Sequence, residues 1–302
     1  MVKNFLEISA IDLAELRMIF KTSYYFKKSR TGLFMGAIDP KPTLSDRVVA
    51  LLFMKPSTRT RFSFEVGINQ MGGKTISVSG NDMQLSNAEK MCDTAQVLSK
   101  FVDMIVLRTD NHHDLLELVE NSEVPVINGL TDFSHPCQVL SDIFSYEEIA
   151  GPIKGKKVVW LGDGNNVCSS YLQSADKFDF ELVYSGPKVC EPKNIAETRN
   201  CAFEKDPEIA VKGANLLITD TWFSMHQTEL ERAERSKVMD AYCITKDLVR
   251  AAKSNCLVFH CMPLYREKEI SSEVAKNFFK VFIAQAENRL HVQKAIVKWC
   301  FS

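Results

Sequence analysis

The chain has no apolar run approaching the roughly 20 residues a membrane helix needs, and it has almost no excess of charge. Lys plus Arg number 37 and Asp plus Glu 38, a net charge of -1. No broad cationic field is therefore available to attract nucleic acid or anionic lipid, and the expected partner is a small molecule. The stretch Met1-Val2-Lys3-Asn4-Phe5-Leu6-Glu7 lacks the apolar core of a secretory signal, which predicts a cytoplasmic protein. Nine cysteines are present, yet no two stand in a Cys-x-x-Cys spacing. Zinc sites need clustered ligands and disulfide scaffolds are small and secreted, so these read as reduced, mostly buried thiols. The His112-His113 pair reads as a loop or helix start, not a metal site. Low-complexity tracts are missing as well.

One further absence excludes a function class. Gly162-x-Gly164 follows an apolar segment, as in a dinucleotide-binding turn, but the third glycine of that fingerprint would fall at position 167, which is Val. No acidic residue closes the next strand where a ribose partner is expected, so a dehydrogenase is disfavoured. The neighbouring Asn165-Asn166 offers amides, which suit an amino-acid carboxylate.

What is present is a chain of 302 residues, 45% hydrophobic, long enough for two domains with separate cores. Strand-like and helix-like segments alternate, which predicts parallel sheets covered by helices on both faces. Helices are expected over about 12–28, 62–72, 89–100, 114–120 and 136–149, with strands at 48–54, 75–78, 104–107 and 124–127. Gly151-Pro152-Ile153-Lys154-Gly155, built of chain-breaking residues, is the expected boundary. The alternation then restarts, with a strand at 157–161, a helix ending near 178 and strands at 181–184, 215–219, 255–259 and 281–284. From 287 the apolar residues Leu290, Val292, Ala295, Ile296 and Trp299 predict a final amphipathic helix.

The stretch 47–65 organises the first half. Val48-Val49-Ala50-Leu51-Leu52-Phe53-Met54 reads as a buried strand, and Phe62-Ser63-Phe64-Glu65 as the opening of a helix. Between them lies Lys55-Pro56-Ser57-Thr58-Arg59-Thr60-Arg61, placed where unpaired backbone N–H groups and the helix dipole favour an anion. Ser57, Thr58 and Thr60 can donate to phosphate oxygens, and Arg59 can grip one with its planar fork. Ser and Thr at such a place also serve as plain helix caps.

The string Ser-Thr-Arg-Thr-Arg, entered from a strand and followed by an aromatic and Glu, resembles the carbamoyl-phosphate signature of the aspartate and ornithine carbamoyltransferases. Later segments extend the resemblance in the family's order: the loop of Gln84 with Asp93-Thr94-Ala95; Arg108; Asn128-Gly129-Leu130-Thr131-Asp132 with His135-Pro136-Cys137-Gln138; Asp163-Gly164-Asn165-Asn166; Asp220-Thr221-Trp222-Phe223-Ser224-Met225; His260-Cys261-Met262-Pro263; and Ala286-Glu287-Asn288-Arg289. Asp-x-x-x-Ser-Met and His-Cys-x-Pro are similar to the ornithine branch, and the acidic Asp220 suits a cationic amine. An aspartate site would instead display extra basic residues.

The resemblance implies an α/β fold of two lobes, each a parallel sheet flanked by helices. Residues 1–150 would bind carbamoyl phosphate, joined by a C-terminal helix, 286–302, packing back on that lobe; residues 151–285 would bind ornithine. It implies transfer of the carbamoyl group to the δ-amine of L-ornithine, with no metal or organic cofactor. Arg59, Arg108, His135 and Cys261 are the expected catalytic residues. Ser57, Thr58, Arg59, Thr60, Arg108, His135, Gln138, Cys261, Met262 and Arg289 would hold the donor, with Gln84 reaching in from a neighbouring subunit. Asn166, Asp220, Ser224 and Met225 would hold ornithine, in a homotrimer. Two departures stand out: His226 follows Ser-Met where Gly is usual, and the Gln84 loop continues Ser86-Asn87-Ala88 without the usual Gly. Putrescine or an acylated ornithine as acceptor, or a catalytically silent homologue, are the alternatives.

Overall fold

Val48–Phe53 carries six apolar residues with no polar alternate, and a strand of that kind must be covered on both faces. In the computed structural model, which describes residues 2–80, 89–222 and 236–302, it is β1. It lies inside a four-stranded parallel sheet with β2 (Lys74–Ser79), β3 (Met104–Arg108) and β4 (Val126–Leu130), in the order β2-β1-β3-β4. Ala50, Leu52, Ile105 and Leu107 face Met91 and Ala95 of α3 (Met91–Leu98) and Leu115 and Leu118 of α4 (His112–Asn121). Val49, Leu51 and Val106, pointing the other way by strand alternation, are equally buried. The N-terminal segment extends the sheet at its edge, where Phe5 bridges Ile127 in parallel. Three more helices belong to this half: α1 (Leu13–Ser29), α2 (Thr58–Gln70) and most of α5 (Pro136–Ala150).

The chain forms two compact units, one of residues 1–144 with 287–302 and the other of 145–286. The chain passes between them inside α5 and again inside α9 (Ser272–Cys300), a helix of 29 residues. The last part of α9 packs on the first unit. Trp299 meets Phe5 edge to face at 6.2 Å, and Lys294, fully buried, binds Asp39 and Gln70.

The second unit repeats the design with five parallel strands in the order β7-β6-β5-β8-β9. These are β5 (Lys157–Leu161), β6 (Glu181–Ser185), β7 (Cys201–Phe203), β8 (Leu216–Thr219) and β9 (Leu257–His260). Val159, Leu161, Leu217 and Val258 pack against Ala210 of α7 (Pro207–Ala210), Leu248 of α8 (Lys246–Ala251) and Val274, Ala275 and Phe282 of α9. On the sheet's other side Trp160 meets Tyr171 of α6 (Asn166–Phe178) at 5.8 Å.

Three elements differ from the sequence reading. Residues 281–284 are not a strand but part of α9: Phe282 is fully buried while Ile283 is 49% exposed, the one-sided burial of a helix. The short edge strand β7 was not read from the sequence, because three apolar residues, Cys201-Ala202-Phe203, are too few to show a strand's period; in the sheet they are half-buried or exposed. The helix after β1 begins at Thr58 instead of Phe62, so most of the hydroxyl and arginine string lies in its first turn. The loop 79–87 falls almost wholly among residues 81–88, outside the described ones.

Candidate active site

In open parallel sheets the ligand crevice lies beyond the carboxyl ends of the strands, where the strand order changes direction. In the first sheet that point is between β1 and β3, whose register sets Phe53 beside Arg108. The chain leaving β1 turns into α2 with Ser57 at the N-cap. The Ser57 side chain makes no capping hydrogen bond, so the plain cap reading does not account for it. One turn in, Thr60 is 1% exposed, and its hydroxyl oxygen accepts from Arg289 Nη2 at 2.6 Å and from Arg108 Nη1 at 3.5 Å. A threonine expected to donate to an anion thus first serves as the acceptor joining two guanidinium groups.

His135 lies beside this array, buried, just before Pro136 opens α5. Burial holds its pKa well below the ordinary imidazole value, and the positive charges of Arg289, Arg108 and Arg59 lower it further. The ring is therefore neutral near pH 7, a donor through one nitrogen and an acceptor through the other. Gln138, one turn on, donates from Nε2 to Asp142 at 2.8 Å and leaves its buried Oε1 with no partner among the described residues. Cys137 is a core residue; its thiol accommodates burial with a pKa pushed up to about 12 and donates to the Asn128 carbonyl at 3.4 Å. Ser57, Thr58, Arg59, Thr60, Arg108, His135, Gln138 and Arg289 all belong to this unit.

The second sheet changes direction between β5 and β8. Asp220, 7% exposed, follows β8 directly, and Cys261 follows β9. The Cys261 thiol donates to Asp220 Oδ1 at 2.7 Å, and the Asn165 amide donates to Asp220 Oδ2 at 2.9 Å. His260, fully buried, points its Nε2 at Glu269 Oε1, 3.1 Å away, while its Nδ1 accepts from the Met262 N–H at 2.8 Å. Asp220, His260 and Cys261 bring potential ligand atoms within 4.8 Å of one another. Both imidazole nitrogens are engaged outside the trio and the Cys261 thiol is given to Asp220, so a metal there would have to break these bonds.

Two parallel α/β units, the first with clustered guanidiniums and the second with a buried carboxylate, fit a family of two-domain transferases. Residues 3–148 match the carbamoyl-phosphate-binding domain of the aspartate/ornithine carbamoyltransferases, and residues 154–300 match the Asp/Orn-binding domain. The chain belongs to the aspartate/ornithine carbamoyltransferase family. It is 48% identical to the ornithine carbamoyltransferase of Ruegeria pomeroyi, with 99% of each chain covered, and 48% identical to that of Roseobacter denitrificans over the whole of both. Among solved structures, the ornithine carbamoyltransferase of Pyrococcus furiosus superposes with a TM-score of 0.90 at 39% identity, covering 98% of this chain and 96% of that one. The enzyme of Burkholderia thailandensis gives 0.88 at 37% identity, covering 98% and 97%.

Within that family frame, Gln84, Ser224, Met225 and the departure at His226 lie outside the described residues. Asn166 is the first residue of α6. The sequence reading offered the amides of both Asn165 and Asn166 to an amino-acid carboxylate; the Asn165 side chain instead caps α6 and binds Asp220. Glu269 is a residue that sequence reasoning missed. A carboxylate nine positions after His260, at the end of the charged run Arg266-Glu267-Lys268, gives no sign of being fully buried.

Proposed function

We propose that the protein transfers the carbamoyl group of carbamoyl phosphate to the δ-amine of L-ornithine, giving L-citrulline and phosphate, as a cytoplasmic homotrimer serving arginine biosynthesis. The observation that carries this reading is the array of Arg108, Thr60 and Arg289 beside a neutral His135, at the carboxyl ends of β1 and β3 where the strand order changes direction. The near full-length similarity to ornithine carbamoyltransferases supports the choice of acceptor over putrescine or an acylated ornithine.

In this scheme the phosphate dianion lies at the N-terminus of α2, held by backbone N–H groups, the Ser57 and Thr58 hydroxyls and the Arg59 fork. Arg108 and the N–H of neutral His135 address the carbonyl oxygen, on which negative charge grows as the tetrahedral intermediate forms. Each donor so aimed contributes about 3 kcal/mol to the transition state. Gln138 Oε1 is an acceptor for the carbamoyl N–H group, and Arg289 holds the same end. The uncharged δ-amine attacks the carbonyl carbon, the bond to the phosphate oxygen breaks, and the amine's proton ends on the departing phosphate. Asp220, with Ser224, Met225 and Asn166, is assigned to the amino-acid end of ornithine, and the Cys261 thiol to the reacting amine. Gln84 is assigned to a neighbouring subunit's donor site. Charge stabilisation by guanidinium groups suffices without a metal or organic cofactor.

Arg59→Ala tests the scheme. Citrulline formation is expected to fall 10²-fold or more with the unfolding midpoint unchanged, and wild-type turnover in the variant would remove Arg59 from the chemistry. Assay of ornithine, putrescine and N-acetylornithine in parallel identifies the acceptor, and activity with putrescine alone would overturn the choice made here.

A further inference from the structure

We propose that Asn165 is a positioning residue for the acceptor amino acid, acting through Asp220. The inference rests on the assignment of Asp220 to ornithine, made above. Asn165 lies in the turn after β5 and Asp220 at the end of β8, the two strands between which the second sheet changes direction. Their side chains meet across that point, with Asn165 Nδ2 donating to Asp220 Oδ2 at 2.9 Å.

The orientation of the amide is fixed from its other end. Asn165 is the N-cap of α6, and its Oδ1 accepts from the Val167 N–H at 2.9 Å and the Cys168 N–H at 3.2 Å. With the oxygen committed to two backbone donors, the nitrogen must face the carboxylate. Asp220 is gripped on both oxygens, by this amide and by the Cys261 thiol. A carboxylate has about four lone-pair sites; two are taken here, so the plane of the group is set and the remaining sites are presented to an incoming ammonium in one orientation. The thirteen-residue helix α6 thereby supplies the rigid mount for a substrate-binding group.

Capping alone does not call for asparagine, because Ser, Thr and Asp accept from the same N–H groups equally well. Only a side-chain amide puts an acceptor for the cap and a donor for the carboxylate on the same tip. That difference separates the two roles experimentally. Asn165→Ser keeps a capping oxygen and removes the donor; Asn165→Asp keeps the cap and sets a second carboxylate against Asp220.

The experiment measures KM for ornithine and for carbamoyl phosphate, kcat and the thermal midpoint in the full-length protein, with each variant also made in an Asp220→Asn background. Asn165→Ser is expected to raise the ornithine KM about tenfold, the loss of one hydrogen bond to a charged group. Asn165→Asp is expected to raise it further, with the carbamoyl-phosphate KM held in both; the thermal midpoint falls in both, since Asp220 loses a hydrogen-bond partner in the folded protein. In the Asp220→Asn background neither change is expected to add a further loss, since the group being positioned is already altered. An ornithine KM at the wild-type value in both single variants, or full additivity with Asp220→Asn, would overturn the inference. Should Asp220→Asn by itself leave the ornithine KM unchanged, the assignment of Asp220 is what fails.

Discussion

Thr60→Val is the substitution that most directly tests how the donor half of the site is built. Valine keeps the branching of threonine at nearly its volume and exchanges the hydroxyl for a methyl, at a position 1% exposed, so no cavity opens while the hydrogen-bonding group is lost. What disappears is the acceptor that Arg289 Nη2 reaches at 2.6 Å; the 3.5 Å approach of Arg108 lies at the limit of a hydrogen bond and is counted as nothing. A hydrogen bond to a charged group is worth about 1.5–3 kcal/mol, and Arg289, 4% exposed, cannot recover it from water. Urea unfolding should therefore show a loss of that size. If the same bond aims Arg289 at the carbamoyl end of the donor, kcat/KM for carbamoyl phosphate falls by roughly 10- to 150-fold, the same energy as a rate ratio, while the ornithine KM stays near its starting value. Thr60→Ser, which keeps the oxygen, should restore both. A valine variant with wild-type unfolding and wild-type kcat/KM would show that the array does not depend on Thr60.

Two further predictions concern buried charge. Asp39 binds Arg30 at 2.8 Å and Lys294 at 2.7 Å with every partner nearly or fully buried, so Asp39→Ala leaves two cations unpaired and should cost about 3–5 kcal/mol in a denaturant titration, releasing loop 31–46 from α9. His135 has a folded pKa well below its unfolded value, so below about pH 6.5 the unfolded chain binds a proton that the folded chain does not. Stability should then fall as pH drops from 6.5, by at most about 1.36 kcal/mol per unit, with no contribution above 6.5. The wild-type protein should show this slope relative to His135→Gln between pH 6.5 and 5, and parallel curves would mean that the imidazole is protonated in the folded state.

The alternation of the two halves was legible because buried parallel strands are uniformly apolar: β1, β3 and β5 announce themselves in four to six consecutive residues. Helix α9 was read only from 287 onward because its earlier turns show no clean apolar face. Its buried stripe runs through Val274, Phe282, Gln285, Asn288, Arg289, Val292, Lys294 and Ile296, and half of those are polar. Gln285 accepts from the His260 N–H, Asn288 from Lys27, Arg289 donates to Thr60 and Lys294 to Asp39. Three of those four lie past 287, in the part whose apolar residues still showed the helix. Before it the buried residues are Val274, Ala275, Phe282 and Gln285 while Phe279 and Ile283 are exposed, so no single apolar face announces the helix and the apolar quartet at 281–284 passes for a strand.

The same limit governs the site. Residue types at the carboxyl ends of strands were readable, so Arg59, Arg108 and His135 could be named as candidates from the string, and the family resemblance added Asp220 and Cys261. Which atom each presents could not be, because an amide, a hydroxyl or an imidazole donates or accepts according to what the fold sets against it. Gly162 and Gly164 show the point from the backbone side. Read as a fragment of a dinucleotide turn they were set aside, yet both are demanded. Gly162 has φ +108°, and a Cβ there would lie 2.4 Å from Trp222 Nε1; a Cβ at Gly164 would lie 2.3 Å from the Cys190 carbonyl. Only glycine lets the chain after β5 come this close to the segments that follow β6 and β8, and that close passage is what delivers Asn165 to Asp220.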